Sequence, residues 1–412
     1  MLKELQYREK NGQPIQVGLI GAGAMGLGIA WQIARTPGMR LSFIADLNLN
    51  AALKAQSVYG KSTRIFENAD AALNDPSVPL DVLVESTNSI GSAARYCLQA
   101  ISRKAHVVLM NAEVDLVLGP YLQQQARKQD VVVTSDAGDQ HGVLMRMIEE
   151  IQLWGFDIVQ AGNIKGFLDR YATQEAKREI AKQLNLNLIQ CVAYTDGTKL
   201  NIEMALIANA ANLTPIKPGM EGPAAKDVTE ALNLFDFSTY KNQGRVDYIL
   251  GAQPGGGVYV VGHCDDPLQK DYLKYYKVHD RFPYYLFYRP YHLCHLETPR
   301  AIALAALWNK AVLTPQFGQL TDVYAYAKQP LNKGDFIDHG IGGDHTYGLI
   351  HATQSQQNAL PIGLLDTEKN QPKPRILRKL DKDEPLQWSD VELPETELLN
   401  LYHKQTAITE PV

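Results

Sequence analysis

The sequence has few cysteines and little excess of charge of either sign. Four cysteines stand among 412 residues, and none of them forms a CxxC pair. This excludes a disulfide framework and a thiolate zinc site, and it favours a reducing compartment. The 40 basic and 45 acidic residues give a formal charge of −5. Because nucleic-acid binding requires a clear basic excess, no nucleic-acid partner is expected.

A long uninterrupted hydrophobic run is also absent. The nearest approach is the uncharged stretch from Val17 to Ala34, which is long enough to span a membrane. Five glycines interrupt it, which is typical of a strand, a turn and a soluble helix. The segment before it, from Met1 to Gln16, is charged and lacks the apolar centre of a signal peptide. We therefore expect a cytoplasmic protein with no membrane partner.

The composition is that of an ordinary globular protein, with 45% apolar and 21% charged residues. At roughly 150 residues per domain, the length predicts two or three domains. In the first part of the chain, short β-branched runs alternate with segments of helical period. These runs lie at residues 15–20, 41–45, 63–66, 81–85, 106–110 and 131–134. The alternation predicts an α/β fold with a Rossmann doubly wound parallel sheet.

The rest of the chain predicts two smaller parts. Mixed strands and helices indicate an α+β substrate domain, in which NLIQCVAYTDG is predicted to be a strand and residues 199–211 a helix. A weak repeat then aligns residues 331–335 with residues 380–384, which predicts a small β module. The predicted boundaries are 1–150 for the Rossmann domain, 151–317 for the substrate domain, 318–396 for the small β module and 397–412 for a tail.

The strongest motif is the glycine pattern in VGLIGAGAMGLGIA. Gly21, Gly23 and Gly26 form GxGxxG directly after an apolar strand, and they allow a tight turn and close approach of a pyrophosphate. Ala24 and Met25 begin the helix, whose free N–H groups would face the phosphates. Asp46 ends the next strand, where a carboxylate can bind both ribose hydroxyls. Since this carboxylate would repel a 2′-phosphate, the motif predicts NAD rather than NADP.

Two later strand ends are predicted to reach the same crevice. Thr87 follows the fourth strand and Asn111 follows the fifth. In open α/β sheets, ligands bind beyond the carboxyl ends of the strands, so both are candidate cofactor-binding residues. The alternative is that they are merely polar residues at the start of loops.

In the substrate domain, Lys165 follows a strand, while Lys199 and Glu203 lie near the start of a helix. Hydride transfer to a carbonyl needs a cation or proton donor at the developing alkoxide, and lysine can supply either. The alternative is an i,i+4 ion pair on a solvated face. Arg289 and His292 could hold an anionic group of the substrate. No third ligand with suitable spacing accompanies His292 and His295, so a metal is left unassigned.

The motifs together resemble a known family. QVGLIGAGAMG, MNAEVDLVLGPYL, TDGTKLNIEMALIANA, PGMEGPA and FYRPYHLCHLETP are similar to homoserine-dehydrogenase-like oxidoreductases with a C-terminal SAF domain. Within that group the chain most resembles the DXR-like enzymes, the second type of 1-deoxy-D-xylulose 5-phosphate reductoisomerase. The resemblance implies that Lys199, Glu203, Arg289 and His292 are active-site residues, and that the protein is a cytoplasmic homo-oligomer. The group uses NADPH, and Asp46 departs from its pattern.

These observations predict an NAD(P)-dependent oxidoreductase. It would transfer hydride to or from a small, polar, anionic carbonyl or alcohol substrate, with NAD as the expected cofactor. One alternative is a true reductoisomerase, which rearranges the carbon skeleton before reduction. Another, from a different class, is a non-catalytic protein that binds NAD as a sensor.

Overall fold

A computed structural model describes residues 1–183, 186–240, 243–356, 358–368 and 370–407. Its α-helices are α1 (Leu2–Lys10), α2 (Ala24–Arg35), α3 (Leu49–Tyr59), α4 (Ala69–Asn74), α5 (Gly91–Ser102), α6 (Ala112–Lys128), α7 (Gln140–Leu153), α8 (Gln174–Gln183), α9 (Leu188–Asp196), α10 (Thr198–Ala211), α11 (Ala231–Leu234), α12 (Pro267–Tyr275), α13 (Cys294–Trp308) and α14 (Glu397–Thr406). Short 3-10 helices lie at Val228–Glu230, Phe237–Thr239, Thr353–Ser355, Ile362–Leu365 and Trp388–Asp390.

The strands are, in chain order, β1 (Ile15–Ile20), β2 (Met39–Ala45), β3 (Arg64–Phe66), β4 (Val82–Glu85), β5 (His106–Leu109), β6 (Val133–Ser135), β7 (Asp157–Lys165), β8 (Arg245–Leu250), β9 (Val258–His263), β10 (His279–Arg281), β11 (Tyr284–Arg289), β12 (Thr321–Ala327), β13 (Thr346–Ala352), β14 (Arg375–Ile376) and β15 (Val391–Glu392). They form one six-stranded sheet, one five-stranded sheet and two pairs.

The chain divides into two compact units. The first contains residues 1–139, residues 293–314 and the described chain from residue 395 on. The second contains residues 140–292 and 315–394. Both units are therefore discontinuous in sequence, and helix α13 belongs with the first. The domain boundaries expected at residues 150, 317 and 396 stay predictions about separately folding parts.

The first unit is built on a parallel sheet with strand order β3-β2-β1-β4-β5-β6. Its strands are mostly buried, except for the edge strand β3, because helices cover both faces of a doubly wound sheet. Val17 and Leu19 of β1 pack in the same core as Ile29 and Ile33 of α2. The strand order reverses between β1 and β4, which is where such sheets bind ligands. The predicted Rossmann fold is confirmed.

The second unit is built on a mixed sheet with order β10-β11-β9-β7-β8. Strand β7 runs parallel to β8 and antiparallel to β9. Tyr259 and Ile249 from one face of this sheet share a core with Phe235 and Phe237. The paired strands β12 and β13 follow as an antiparallel ribbon. The predicted α+β part and small β module are therefore present.

One predicted strand is wrong. The segment NLIQCVAYTDG forms helix α9 instead, and it ends at Gly197 in the left-handed conformation, with φ +86°. The Asn187 side chain accepts hydrogen bonds from the backbone N–H groups of Ile189 and Gln190, which caps the start of this helix. The β-branched residues favoured a strand, but the asparagine cap and terminal glycine are stronger helix-boundary signals.

The weak repeat corresponds to two similar turns that bond to each other. Residues 331 and 380 form an antiparallel bridge. Ala327 N–H donates to the Glu384 carbonyl at 3.0 Å. Ile376, at the equivalent position of the second copy, donates its N–H to the Asp335 carbonyl at 2.8 Å. Each copy therefore makes the same bond to the other, as an approximate two-fold arrangement requires.

Within the described ranges, no helix has both the length and the apolar character required to cross a bilayer.

Candidate functional site

The glycine loop of the first unit lies between β1 and α2. Gly21 has a φ of +89°, and a Cβ there would lie 2.7 Å from the Ser86 backbone. A Cβ on Gly26 would lie 1.9 Å from the Gly21 carbonyl oxygen. Both glycines are therefore required by the fold itself.

Gly23 is different from the other two glycines. Its φ is −66°, which any residue can adopt, and a Cβ there would meet nothing within 4 Å. The space beside Gly23 is open, directly before Ala24 and Met25 at the start of α2. This open space beside the first free N–H groups of a helix fits the pyrophosphate of a dinucleotide.

Asp46 lies against this loop as the sequence predicts. Its Oδ2 accepts a hydrogen bond from Ala22 N–H at 2.6 Å, and its Oδ1 accepts one from Asn48 N–H at 2.7 Å. The two bonds fix the orientation of the carboxylate. Each oxygen keeps a second lone pair, so the group can still accept hydrogen bonds from ribose hydroxyls.

The ends of β4 and β5 carry the other two predicted cofactor residues. Thr87 N–H donates to Glu85 Oε1 at 2.9 Å. Asn111 caps α6 by accepting from Val114 N–H, and its Nδ2 donates to the Ser89 carbonyl at 2.8 Å. Thr87 and Asn111 therefore lie at neighbouring strand ends of the same sheet edge, as expected.

Glu85, which begins the polar segment at the end of β4, is a buried acid at this edge. The side chain is fully buried at the end of β4, and burial raises its pKa to about 7. The hydrogen bonds from Thr87 oppose this rise. A carboxyl group that changes its protonation state near neutral pH therefore lies at the edge of the sheet where ligands bind.

Helix α10 of the second unit carries Lys199 and Glu203. Both side chains are buried, with 4% and 2% of their surface exposed. Every residue of α10 from Thr198 to Ala210 is buried, so no face of this part of the helix is solvated. An ion pair on a solvated face is therefore excluded, and a buried ammonium group of this kind requires polar surroundings.

Lys165 lies at the carboxyl end of β7, half-buried, with its ammonium group 5.7 Å from the centre of the Tyr194 ring. Helix α10 runs antiparallel to β7. At the start of α10, a Cβ on Gly197 would contact the Leu168 side chain. Just beyond the other end of α10, a Cβ on Gly244 would contact both the Leu213 side chain and the Ile158 carbonyl oxygen. The end of α10 therefore lies near the start of β7. Lys199 and Lys165 are therefore at the same end of the sheet.

The glycine turn before β9 brings His292 and Arg289 to that end as well. Ile164 on β7 bonds to Gly256 and Gly257 through its backbone, with both distances 2.9 Å. His292 Nδ1 lies 2.8 Å from the Gly256 carbonyl, which can only accept, so this nitrogen carries the hydrogen. Arg289 pairs with Val258 across β9 and β11.

Arg289 also lines a surface groove of about 440 Å³ with Trp154 and Lys277. Its guanidinium group lies 4.9 Å from the centre of the Tyr291 ring. The groove is open, and its lining combines aromatic rings with cationic side chains and one acidic side chain, Glu150.

Asn163 is a residue of this site that the sequence did not single out. It is fully buried on β7, two residues before Lys165 and on the same face of the sheet. Neither its Nδ2 nor its Oδ1 has a hydrogen-bond partner in the described chain. Because buried amides are normally bonded, this side chain is available to a ligand or an ordered water. A polar residue within a buried strand was the only signal in the sequence.

Two family models match the sequence. Residues 21–135 match the NAD-binding domain of homoserine dehydrogenase, and residues 138–298 match the catalytic domain described as oxidoreductase DRL. The first match includes the glycine loop and Asp46. The second includes Lys165, Lys199, Glu203, Arg289 and His292. The expected resemblance to homoserine-dehydrogenase-like oxidoreductases is confirmed over these residues, and a nicotinamide cofactor is supported.

Similar solved structures include three dehydrogenases. The homoserine dehydrogenase from Thiobacillus denitrificans is 15% identical, with 78% of this chain and 83% of that chain covered and a TM-score of 0.46. The myo-inositol dehydrogenase from Lactobacillus casei, in complex with NAD(H) and myo-inositol, is 14% identical, with coverage of 60% and 71% and a TM-score of 0.36.

The third is the WlbA dehydrogenase from Bordetella pertussis, in complex with NADH and UDP-GlcNAcA. It is 19% identical, with a TM-score of 0.31, and the match covers 40% of this chain and 50% of that chain. The present chain thus spans half the length of that enzyme. No protein of curated function matches the sequence.

Proposed function

We propose that this chain, which joins an NAD-binding domain of the homoserine dehydrogenase kind to a DRL-type catalytic domain, is an NAD-dependent oxidoreductase. It transfers hydride to or from the carbonyl carbon of a small, polar, anionic substrate bearing a carboxylate or phosphate. The observation that carries the proposal is the open space at Gly23 beside the oriented carboxylate of Asp46.

The preference for NAD over NADP rests on Asp46. Its carboxylate is held against the loop by Ala22 N–H, so it cannot turn away from a ribose without breaking that bond. A 2′-phosphate would place a second negative charge beside it. Gly21, Gly23, Gly26, Thr87 and Asn111 would hold the rest of the dinucleotide, and the bound nicotinamide would supply or accept the hydride.

Lys199 is the proposed proton donor or electrophile. Its burial on α10 places an ammonium group where little water competes, and there it stabilises a developing alkoxide more strongly than in solution. Glu203 lies one turn further along the same helix and would orient Lys199. Lys165, at the same end of the sheet, is the alternative proton donor.

Arg289 and His292 are the proposed substrate anchors. A guanidinium group can bind a carboxylate or phosphate through two parallel hydrogen bonds. His292 uses Nδ1 for the Gly256 carbonyl, which leaves Nε2 for the substrate. The cytoplasmic location and homo-oligomeric state that the family resemblance implies remain part of this proposal.

A reductoisomerase is the second candidate. The match of residues 138–298 to the DRL catalytic domain supports it, as does the cluster of cationic groups at one end of the β7 sheet. This reaction would convert 1-deoxy-D-xylulose 5-phosphate to 2-C-methyl-D-erythritol 4-phosphate. Rescue of a strain deficient in that reductoisomerase would favour it over a plain dehydrogenase.

Fluorescence titration of the protein with NADH and NADPH tests the cofactor assignment. NADH should bind more tightly, and equal or tighter binding of NADPH would contradict the assignment. NADH turnover should then be measured over hydroxyketones and aldehydes that carry a carboxylate or phosphate. NADH binding without turnover of any of these would favour a non-catalytic NAD sensor.

A further inference from the structure

Lys328 is a buried cation that the proposed chemistry does not use. It follows β12 directly, and only 3% of its surface is exposed. Its Nζ donates to the Gly343 carbonyl at 2.7 Å, to Asp196 Oδ2 at 2.9 Å and to the Ala172 carbonyl at 3.0 Å. All three ammonium protons are therefore used, and one of them forms a buried ion pair with Asp196.

Asp196 also forms a hydrogen bond with the first turn of α10. Its other oxygen, Oδ1, accepts a hydrogen bond from Thr198 N–H at 2.8 Å. Burial raises the pKa of Asp196, and the Lys328 ammonium opposes that rise by stabilising the carboxylate. The carboxylate thus bridges Lys328 and the residue that precedes Lys199.

Strand β13 holds the same turn at two more points. Thr198 Oγ1 accepts a hydrogen bond from Gly348 N–H at 2.9 Å, and Asn201 Oδ1 accepts one from Ile350 N–H at 2.9 Å. Lys199 lies between these two contacts. Its backbone is therefore fixed on both sides by the ribbon of β12 and β13, which is distant from α10 in the sequence.

The internal repeat shows that Lys328 is not a consequence of the module's own fold. The equivalent position in the second copy is Leu377. The burial is opposite to what hydrophobicity alone would produce, because Lys328 is 3% exposed and Leu377 is 37% exposed. Of the two copies of the repeat, only the first has a buried cation at this position, and it is the first copy whose strand β12 contacts α10.

We propose that Lys328, Asp196 and strand β13 are positioning elements that hold the first turn of α10 and so orient the Lys199 ammonium group. The C-terminal β module is then part of the catalytic architecture and not an accessory domain. The inference rests on the proposed function in one respect, namely that Lys199 acts on the substrate.

Two threonines provide a matched test. Thr198→Val removes the hydroxyl that accepts from Gly348 N–H, beside Lys199. Thr321→Val removes a hydroxyl that bonds to Ala205 and Asn209 of the same helix, and Asn209 lies about 15 Å from Lys199 along the helix axis. Both threonines are fully buried, and both link α10 to the β12–β13 ribbon.

The first readout needs no substrate. Hydrogen exchange measured by mass spectrometry should show faster exchange over residues 196–204 in Thr198→Val, by about 10-fold or more, and unchanged exchange there in Thr321→Val. Equal exchange in the two variants would overturn the proposal that strand β13 holds the first turn of α10. NADH affinity should stay within about two-fold of the unchanged protein in both.

The second readout is steady-state kinetics, which shows whether each variant changes kcat or KM. Thr198→Val should lower kcat by about 10- to 100-fold with KM nearly unchanged, whereas Thr321→Val should leave kcat unchanged at a similar loss of Tm. The double variant Lys328→Met/Asp196→Asn removes the ion pair without leaving a lone buried charge, and it should reproduce the loss of kcat.

Equal kcat in the two threonine variants, together with a large loss in Lys199→Ala, would overturn the positioning role and leave the proposed function standing. An unchanged kcat in Lys199→Ala would instead count against the proposed role of Lys199 and transfer that role to Lys165. In that case the hydrogen-exchange result still decides whether the ribbon holds α10.

Discussion

The glycine loop and the first turn of α10 are held in place in different ways. The loop is built by a strand, a turn and a helix that follow one another directly along the chain, and Asp46 joins it from the next strand. The first turn of α10 depends on Lys328, Gly348 and Ile350, which belong to a distant part of the sequence. Local geometry therefore determines the cofactor loop, and distant contacts determine the proposed catalytic helix.

The largest expected effect separates the two kinds of glycine in the loop. Gly23→Val fills the open space, so NADH affinity should fall by about 100-fold or more with Tm nearly unchanged. Gly26→Val forces a side chain against the Gly21 carbonyl, so it should lose binding and also lower Tm by about 5–10 °C. Fluorescence titration and thermal denaturation measure both. Normal NADH binding by Gly23→Val would make the loop a purely structural turn.

An effect of similar size tests the second region. Lys199→Ala should lower kcat by about 10²- to 10⁴-fold with NADH affinity nearly unchanged, because the ammonium acts on charge that forms only during the reaction. Arg289→Ala should mainly raise KM, since an anchor binds the ground state and transition state alike. Steady-state kinetics, measured once a substrate has been found, tests both expectations. Lys182→Ala, on exposed α8, is the control, and an unchanged kcat in Lys199→Ala would transfer the role to Lys165.

A pH effect is expected from Glu85, which lies at the end of β4, paired with Ile20 just before the glycine loop. Because burial raises its pKa from 4.5 to about 7, the folded chain keeps a proton that the unfolded chain loses between these values. Its contribution to stability is therefore full below about pH 4.5, declines as the pH rises to about 7, and is constant above. Over this pH range, the contribution of Glu85 to the free energy of unfolding falls by about 3 kcal/mol.

Glu85→Gln tests this, since the amide cannot ionise. Thermal denaturation at pH 5 and pH 8 should show that the variant gains Tm over the unchanged protein at pH 8 and much less at pH 5. Glu67→Gln, at an exposed glutamate of the same unit, should change neither value. The same small difference at both pH values would show that Glu85 stays ionised in the fold.

The smallest expected effect concerns cofactor choice. Asp46→Ser should weaken NADH binding and relax the preference over NADPH, by about 1–3 kcal/mol or one to two decades of affinity. Asp46→Asn keeps an acceptor for Ala22 N–H and removes the charge, so it should relax the preference with a smaller loss of NADH affinity. An unaltered preference in both variants would mean that Asp46 does not contact the ribose.

Sequence patterns succeeded where a local rule applies. The six strands of the first sheet were predicted because each is a short apolar run between helices, and the glycine loop because its spacing has a steric reason. The strand predicted for NLIQCVAYTDG failed, because the caps at Asn187 and Gly197 override the preference of its β-branched residues. Asn163 and Lys328 were missed because burial of a polar side chain depends on which segments cover it.

The sequence by itself determined the dinucleotide fold, the position of the glycine loop and the presence of an acidic residue directly after the second strand. These features follow from steric and hydrogen-bonding rules that act between near neighbours. Only the tertiary structure decided that Lys199 and Glu203 are buried, that Asp46 is bonded to Ala22, and that Lys328 is paired with Asp196. The reason is that burial and pairing are properties of segments brought together by folding, and the separation of Lys328 from Asp196 along the chain carries no trace of their 2.9 Å contact.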